Sequence, residues 1–158
     1  MYAATGTLTI NPAFLQDIKE DNIHLKELLA ATSTALAQDT NTLIRPRALA
    51  ELMSRLRDQL ATHFSLEEFF GYFDDAIDTA PRLSAEADVL RCQHETLYLS
   101  ISELADDAEN LLYGPVPDNA LSALATRFQV FYEELTRHEE SENDLIMQAF
   151  YDDIGVGD

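Results

Sequence analysis

Cysteine, glycine, proline and positive charge are all scarce in this chain of 158 residues. Its one cysteine, Cys92, excludes an internal disulfide and a thiolate metal cluster, and reads as a structural thiol. Five glycines and five prolines are too few for a loop-rich or strand-and-turn architecture. They fall at the joints between long periodic segments, where an all-helical domain places its breakers. Lysine and arginine number 10 against 29 acidic residues, giving a formal charge of −19. Such a surface repels phosphate backbones and anionic lipid, which excludes nucleic acid and membrane as partners and leaves a solvated acidic exterior. No apolar run approaches the ~20 residues of a membrane helix. The N-terminus, Met1 to Gly6, lacks the basic and apolar regions of a signal peptide, so a soluble cytoplasmic protein is expected.

What is present is an apolar fraction of 46%, enough for one real core. Residues 1–10, with alternating Thr7-Leu8-Thr9-Ile10, read as an extended arm, residues 11–153 as a helical domain and 154–158 as a frayed tail. Asn11-Pro12 is a helix start, a capping residue before proline at the first helical position. The first helix is expected to run to about Ala37, with Phe14, Ile18, Leu25, Leu28 and Leu36 inward, followed by a polar turn over 38–42. A second begins near Pro46 and fades after Phe73, with Leu52, Leu56, Leu60, His63, Glu67 and Phe70 on one stripe. The third has the cleanest period: Leu83, Ala87, Leu90, His94, Leu97, Ile101, Leu104, Ala108 and Leu111 recur at steps of three and four until Gly114-Pro115-Val116-Pro117 stops them. Asp118 is placed to cap a fourth, whose stripe is Leu121, Leu124, Phe128, Phe131, Leu135, His138, Glu142, Leu145 and Ala149. Four long amphipathic helices with short connections predict an all-α, antiparallel up-down-up-down bundle. Short turns favour that closed monomer over helical hairpins that open and dimerise.

Histidines and carboxylates inside apolar stripes need a reason, because unsatisfied polar groups are costly to bury. His63 and Glu67 are four residues apart, so one helical face carries both, and His138 and Glu142 repeat the spacing. The four histidines fall one per helix. Counting residues from each shared turn at about 1.5 Å of rise brings His24, His63, Glu67, His94, His138 and Glu142 to one level. A lone histidine on an apolar face is usually a hydrogen-bonded core residue, but two His-x-x-x-Glu pairs with two further histidines at matching height point to metal. Imidazole and carboxylate without thiolate suit iron, manganese or zinc. Four nitrogens and two carboxylates exceed one tetrahedral zinc, and two ions bridged by the carboxylates fit better.

The segments Ile23-His24-Leu25-Lys26-Glu27-Leu28-Leu29, His63-Phe64-Ser65-Leu66-Glu67-Glu68, Gln93-His94-Glu95-Thr96-Leu97 and His138-Glu139-Glu140-Ser141-Glu142 together resemble the hemerythrin-like, HHE cation-binding family over about residues 12–152. The resemblance implies a non-heme centre of two iron ions, oxo- or hydroxo-bridged, with zinc or manganese as substitutes. It implies His24, His63, His94 and His138 as terminal ligands and Glu67 and Glu142 as bridges. Oxygen-carrying members have His-x-x-x-His on the third helix; here Leu90 stands where the first of that pair belongs. Asn143 stands where those carriers place an aspartate. Tyr98, one turn after His94, is either an inward phenolate or a rim aromatic. Asp21 is either a hydrogen-bond acceptor for the His24 ring or a solvated charge, and Glu68 and Glu139 lie off the ligand line.

The missing fifth imidazole favours catalase- or peroxidase-like handling of peroxide over reversible dioxygen carriage, the small ligand being O2, H2O2 or NO. The alternative is a non-catalytic iron or oxygen sensor read by a partner protein. A histidine phosphotransfer bundle needs one exposed histidine with a lysine nearby, and here all four histidines are expected on inward faces.

Overall fold

The computed structural model describes residues 12–37, 46–69, 76–78 and 80–155, without the side chains of 12–16, 69, 150 and 152–155. Several expectations lie outside the described residues: the arm over 1–10, the Asn11 cap, the turn over 38–42, the inward side chain of Phe14, the end of the second helix at Phe70 to Phe73, and tail residues 156–158. Four long helices make up most of the remainder: α1 (Pro12–Ala37), α2 (Pro46–Phe69), α3 (Ser84–Asn110) and α4 (Ala120–Gly155). Pro12 and Pro46 open their helices, where a missing N–H costs no helical hydrogen bond.

Helix α3 is entered through a 3-10 turn, Pro81–Leu83, in which Leu83 N–H donates to the Ala80 carbonyl at 3.0 Å. It leaves through a second such turn, Leu111–Tyr113, and Gly114 ends it as the sequence predicts. Helix α4 begins at Ala120, two residues beyond the anticipated cap at Asp118, with Ala120 N–H donating to the Pro117 carbonyl at 3.0 Å.

Helix α1 packs on α2 and α4, and α3 packs on the same two, closing an all-α up-down-up-down bundle. Among the described residues there is no strand, and no helix is long and apolar enough to cross a membrane. The predicted stripes of α3 and α4 are the observed buried lines, with Leu111 and Leu121 half-buried at their ends. Each fully buried leucine or phenylalanine contributes about 1.5–3 kcal/mol of transfer free energy.

The core is split along its length. One apolar cluster joins residues such as Leu56, Leu60, Leu97, Ile101, Phe128 and Phe131. A second, smaller one joins Ala76, Ala80, Leu83, Ala87, Leu90, Leu145 and Ala149, forming a floor. Between them every helix offers a polar side chain: Asp21 from α1, His63 and Glu67 from α2, His94 from α3, His138 and Glu142 from α4, all buried. The other buried polar residue described, Thr32, satisfies its hydroxyl on the Leu28 carbonyl at 2.7 Å.

Candidate metal centre

The polar layer follows from helical periodicity. His63 and Glu67 occupy successive turns of the α2 line that continues from Met53, Leu56 and Leu60. His138 and Glu142 do the same between Leu135 and Leu145 on α4, and His94 interrupts the α3 line between Leu90 and Leu97.

All three buried imidazoles adopt one posture, with Nε2 inward and Nδ1 outward. His63 Nε2 lies 2.8 Å from Glu67 Oε1 and 2.7 Å from Glu139 Oε1. His94 Nε2 lies 3.1 Å from Glu67 Oε2 and 3.0 Å from Glu142 Oε1. His138 Nε2 is pressed against Glu142 Oε1. On the outer side, His63 Nδ1 meets Asp21 Oδ2 at 2.5 Å, and the other Asp21 oxygen accepts from Gln59 Nε2 at 2.7 Å. His94 Nδ1 meets Glu68 Oε1 at 2.8 Å, and His138 Nδ1 meets Gln93 Oε1 at 2.7 Å. These outer oxygens are acceptors, so each ring donates a proton from Nδ1 and aims Nε2 at the centre, where its lone pair becomes available to a metal once the Nε2 proton is lost. That is how metal-bound histidines are oriented. Phe64 locks the arrangement by stacking on the His94 ring, with centroids 4.0 Å apart and planes 12° from parallel.

Glu67 Oε2 and His138 Nε2 are buried without a well-directed hydrogen bond. A cation between them removes that cost. Two donor groups are close enough to hold ions, each with its ligating atoms within 4.8 Å of one another: Glu67, His94, His138 and Glu142; and His63, Glu67 and Glu139. Glu67 belongs to both, with one oxygen toward His63 and the other toward His94. The donor set, imidazole and carboxylate without thiolate, suits first-row divalent metals.

Without metal the cluster is held by protons. Burial alone pushes the His63 imidazole down, but its hydrogen bonds to Asp21, Glu139 and Glu67 outweigh this and hold it far above its ordinary value. His94 is likewise raised to about 10 by Glu142, Glu67 and Glu68 against its burial. Burial pushes Glu67 up, but the His63 and His94 imidazoles win and hold it down at about 2. Glu142 is raised, burial prevailing over its histidine partners.

Of the six residues expected to converge, the structure gathers His63, Glu67, His94, His138 and Glu142, and does not bring in His24. The His24 side chain is 66% exposed and lies 3.9 Å from Glu27. The correction has a register cause: α1 buries Asp21, Leu25, Leu29 and Thr32, and His24 sits about a quarter turn from the middle of that arc. Asp21 therefore serves the ring of His63 and not that of His24. Leu90 lies in the apolar floor, and Tyr98 is 37% exposed and takes no part in the centre. Cys92, read as structural, is an exposed free thiol. Glu68 and Glu139 lie off the predicted ligand line and the apolar stripes do not single out Gln59 or Gln93, yet all four side chains hydrogen-bond into the layer. The available signal was adjacency: Glu68 follows Glu67, Gln93 precedes His94 and Glu139 follows His138, each about 100° around its helix toward a neighbour.

A profile of the Hemerythrin HHE cation binding domain matches residues 13–150. No curated protein and no solved structure matches the chain.

Proposed function

The chain belongs to the hemerythrin HHE cation-binding family, and from that premise we propose a cytoplasmic, non-heme protein of two iron ions that handles a small ligand, O2, H2O2 or NO, with catalase- or peroxidase-like turnover of peroxide favoured over reversible dioxygen carriage. The observation that carries this reading is the pair of donor groups joined through Glu67. His63, Glu67, His94, His138 and Glu142 are the proposed ligands. Two adjacent iron ions, when bound, supply electrons and stabilise developing negative charge.

The chain's own residues set the conditions for that chemistry. Asp21, Glu68 and Gln93 hold the three imidazoles in the tautomer that presents Nε2. Glu67 spans both groups and fixes their separation. Leu90 offers no donor where oxygen carriers of this family hold a further histidine, so fewer coordination positions are filled by protein, which favours turnover over protected carriage. The apolar clusters above and below bound the layer along the bundle axis, and water reaches it from the side, through the cleft lined by His63, Glu67 and Glu139.

The test is metal analysis of purified protein after anaerobic iron loading, followed by peroxide consumption. About two ions per chain and sustained peroxide loss are expected. Failure to retain metal sinks the reading. One observation favours a second reading, a metal sensor: the layer ties α2, α3 and α4 together, and α1 through Asp21. A sensor would consume no peroxide but lose helix content on chelation.

A further inference from the structure

We propose that Glu139 is itself a metal ligand, completing an outer half-site with His63 and Glu67, and that the ion held there leaves faster than the inner one. The inference rests on the two-ion reading above.

The inner group is the more deeply buried of the two. Glu67, His94, His138 and Glu142 are all buried, and Leu90, Leu145 and Ala149 close the space beneath them. The outer group differs in burial and in donor count. Glu139 Oε1 sits 2.7 Å from His63 Nε2, yet its side chain is 32% exposed. It lines a cleft of about 650 Å³ between α1, α2 and α4 that reaches His63 and Glu67. A molecule of liquid water occupies about 30 Å³, so the cleft has room for roughly 20 waters or a small chelator beside the ion. With His24 turned outward on α1, Glu139 is the group that supplies a third donor to this half. A half-solvated carboxylate is already hydrated and swings away at little cost, whereas withdrawing buried Glu142 strands a charge or proton in the core. Four buried donors against three, of which Glu139 is partly exposed, make two affinities.

The experiment is a cobalt(II) loading of the whole chain, with retained metal counted after gel filtration and release followed with a colorimetric chelator. Wild type is expected to retain about two ions, one leaving at least about tenfold faster than the other. Glu139→Ala should retain about one ion and show only the slow phase. Glu139→Gln, which keeps the shape but loses the charge, should resemble it. Glu140→Gln, at the mouth of the same cleft but outside the donor group, should behave as wild type. Ala30→Trp, filling the cleft from α1, should slow the fast phase several-fold. Circular dichroism establishes that each variant is folded. Wild type retaining no cobalt overturns the two-ion reading itself. Two ions that leave at one rate, or that Glu139→Ala and Glu139→Gln both retain, overturn this inference and leave that reading standing. A fast phase untouched by Ala30→Trp removes the cleft as the route.

Discussion

His24 separates what the sequence motif implies from what the fold does. As a residue in a family pattern it is a ligand; as a position on α1 it faces solvent beside Glu27. His24→Ala should therefore leave metal content unchanged, whereas His63→Ala and Glu142→Ala should strip metal, and Tyr98→Phe should not. Loss of an ion from His24→Ala would put that imidazole back in the centre and contradict the α1 register. Asp21→Asn probes the opposite case, a residue that touches no metal. Its carboxylate holds the His63 ring from behind at 2.5 Å. Removing that acceptor's charge should weaken metal affinity about 10- to 100-fold, as loss of such orienting partners does. Competition titration against a chelator of known affinity measures it, and an unchanged constant would show that the ring is held by packing alone.

Among the elements, legibility tracks how sharply apolar residues alternate with charge. Helix α3 places Ala87, Leu90, His94, Leu97, Ile101, Leu104 and Ala108 on one line with exposed residues on either side, so both its face and its ligand were legible. Helix α4 was legible for the same reason. On α1 the leucines are spread over a wide arc: Leu25 and Leu29 are buried, while Ile18, Leu28 and Leu36 are only half-buried. With so blunt a stripe, the register could not decide between Asp21 and His24, and α2 decided it by presenting His63 to the carboxylate. Glu139 was hidden for a different reason. Its role depends on the gap between α1 and α4, which no single helix encodes. The cost of disturbing the well-patterned elements is correspondingly predictable. Phe131 on α4 is 2% exposed and belongs to the main core. Phe131→Ala should destabilise the fold by about 3–5 kcal/mol, read from denaturant unfolding. A loss below about 1 kcal/mol would mean that the core repacks there as freely as a surface site.

At the scale of the whole molecule, the buried layer makes metal and protons rivals. Carboxylates reach it from three helices, Asp21 on α1, Glu67 and Glu68 on α2, Glu139 and Glu142 on α4, and α3 adds the neutral Gln93. In the metal-free protein His94 titrates at about 10 against 6.5 for an ordinary histidine. Its stabilising contribution is thus complete below about pH 6.5 and is lost as pH rises toward 10. His63 shifts in the same direction. Glu67, lowered from 4.5 to about 2, contributes above pH 4.5 and loses that contribution as pH falls through 2. The metal-free protein should therefore be most stable in mildly acidic solution, with Tm falling between about pH 7 and 10. Metal replaces those protons as the positive charge, so the loaded protein should show a flatter Tm over that range. Metal affinity should rise with pH as His63 and His94 give up protons to bind it. Thermal unfolding with and without chelator across this range is the measurement. A metal-free Tm that climbed from pH 7 to 10 would mean that the imidazoles are neutral in the folded chain, and that the layer is held without the charges assigned to it.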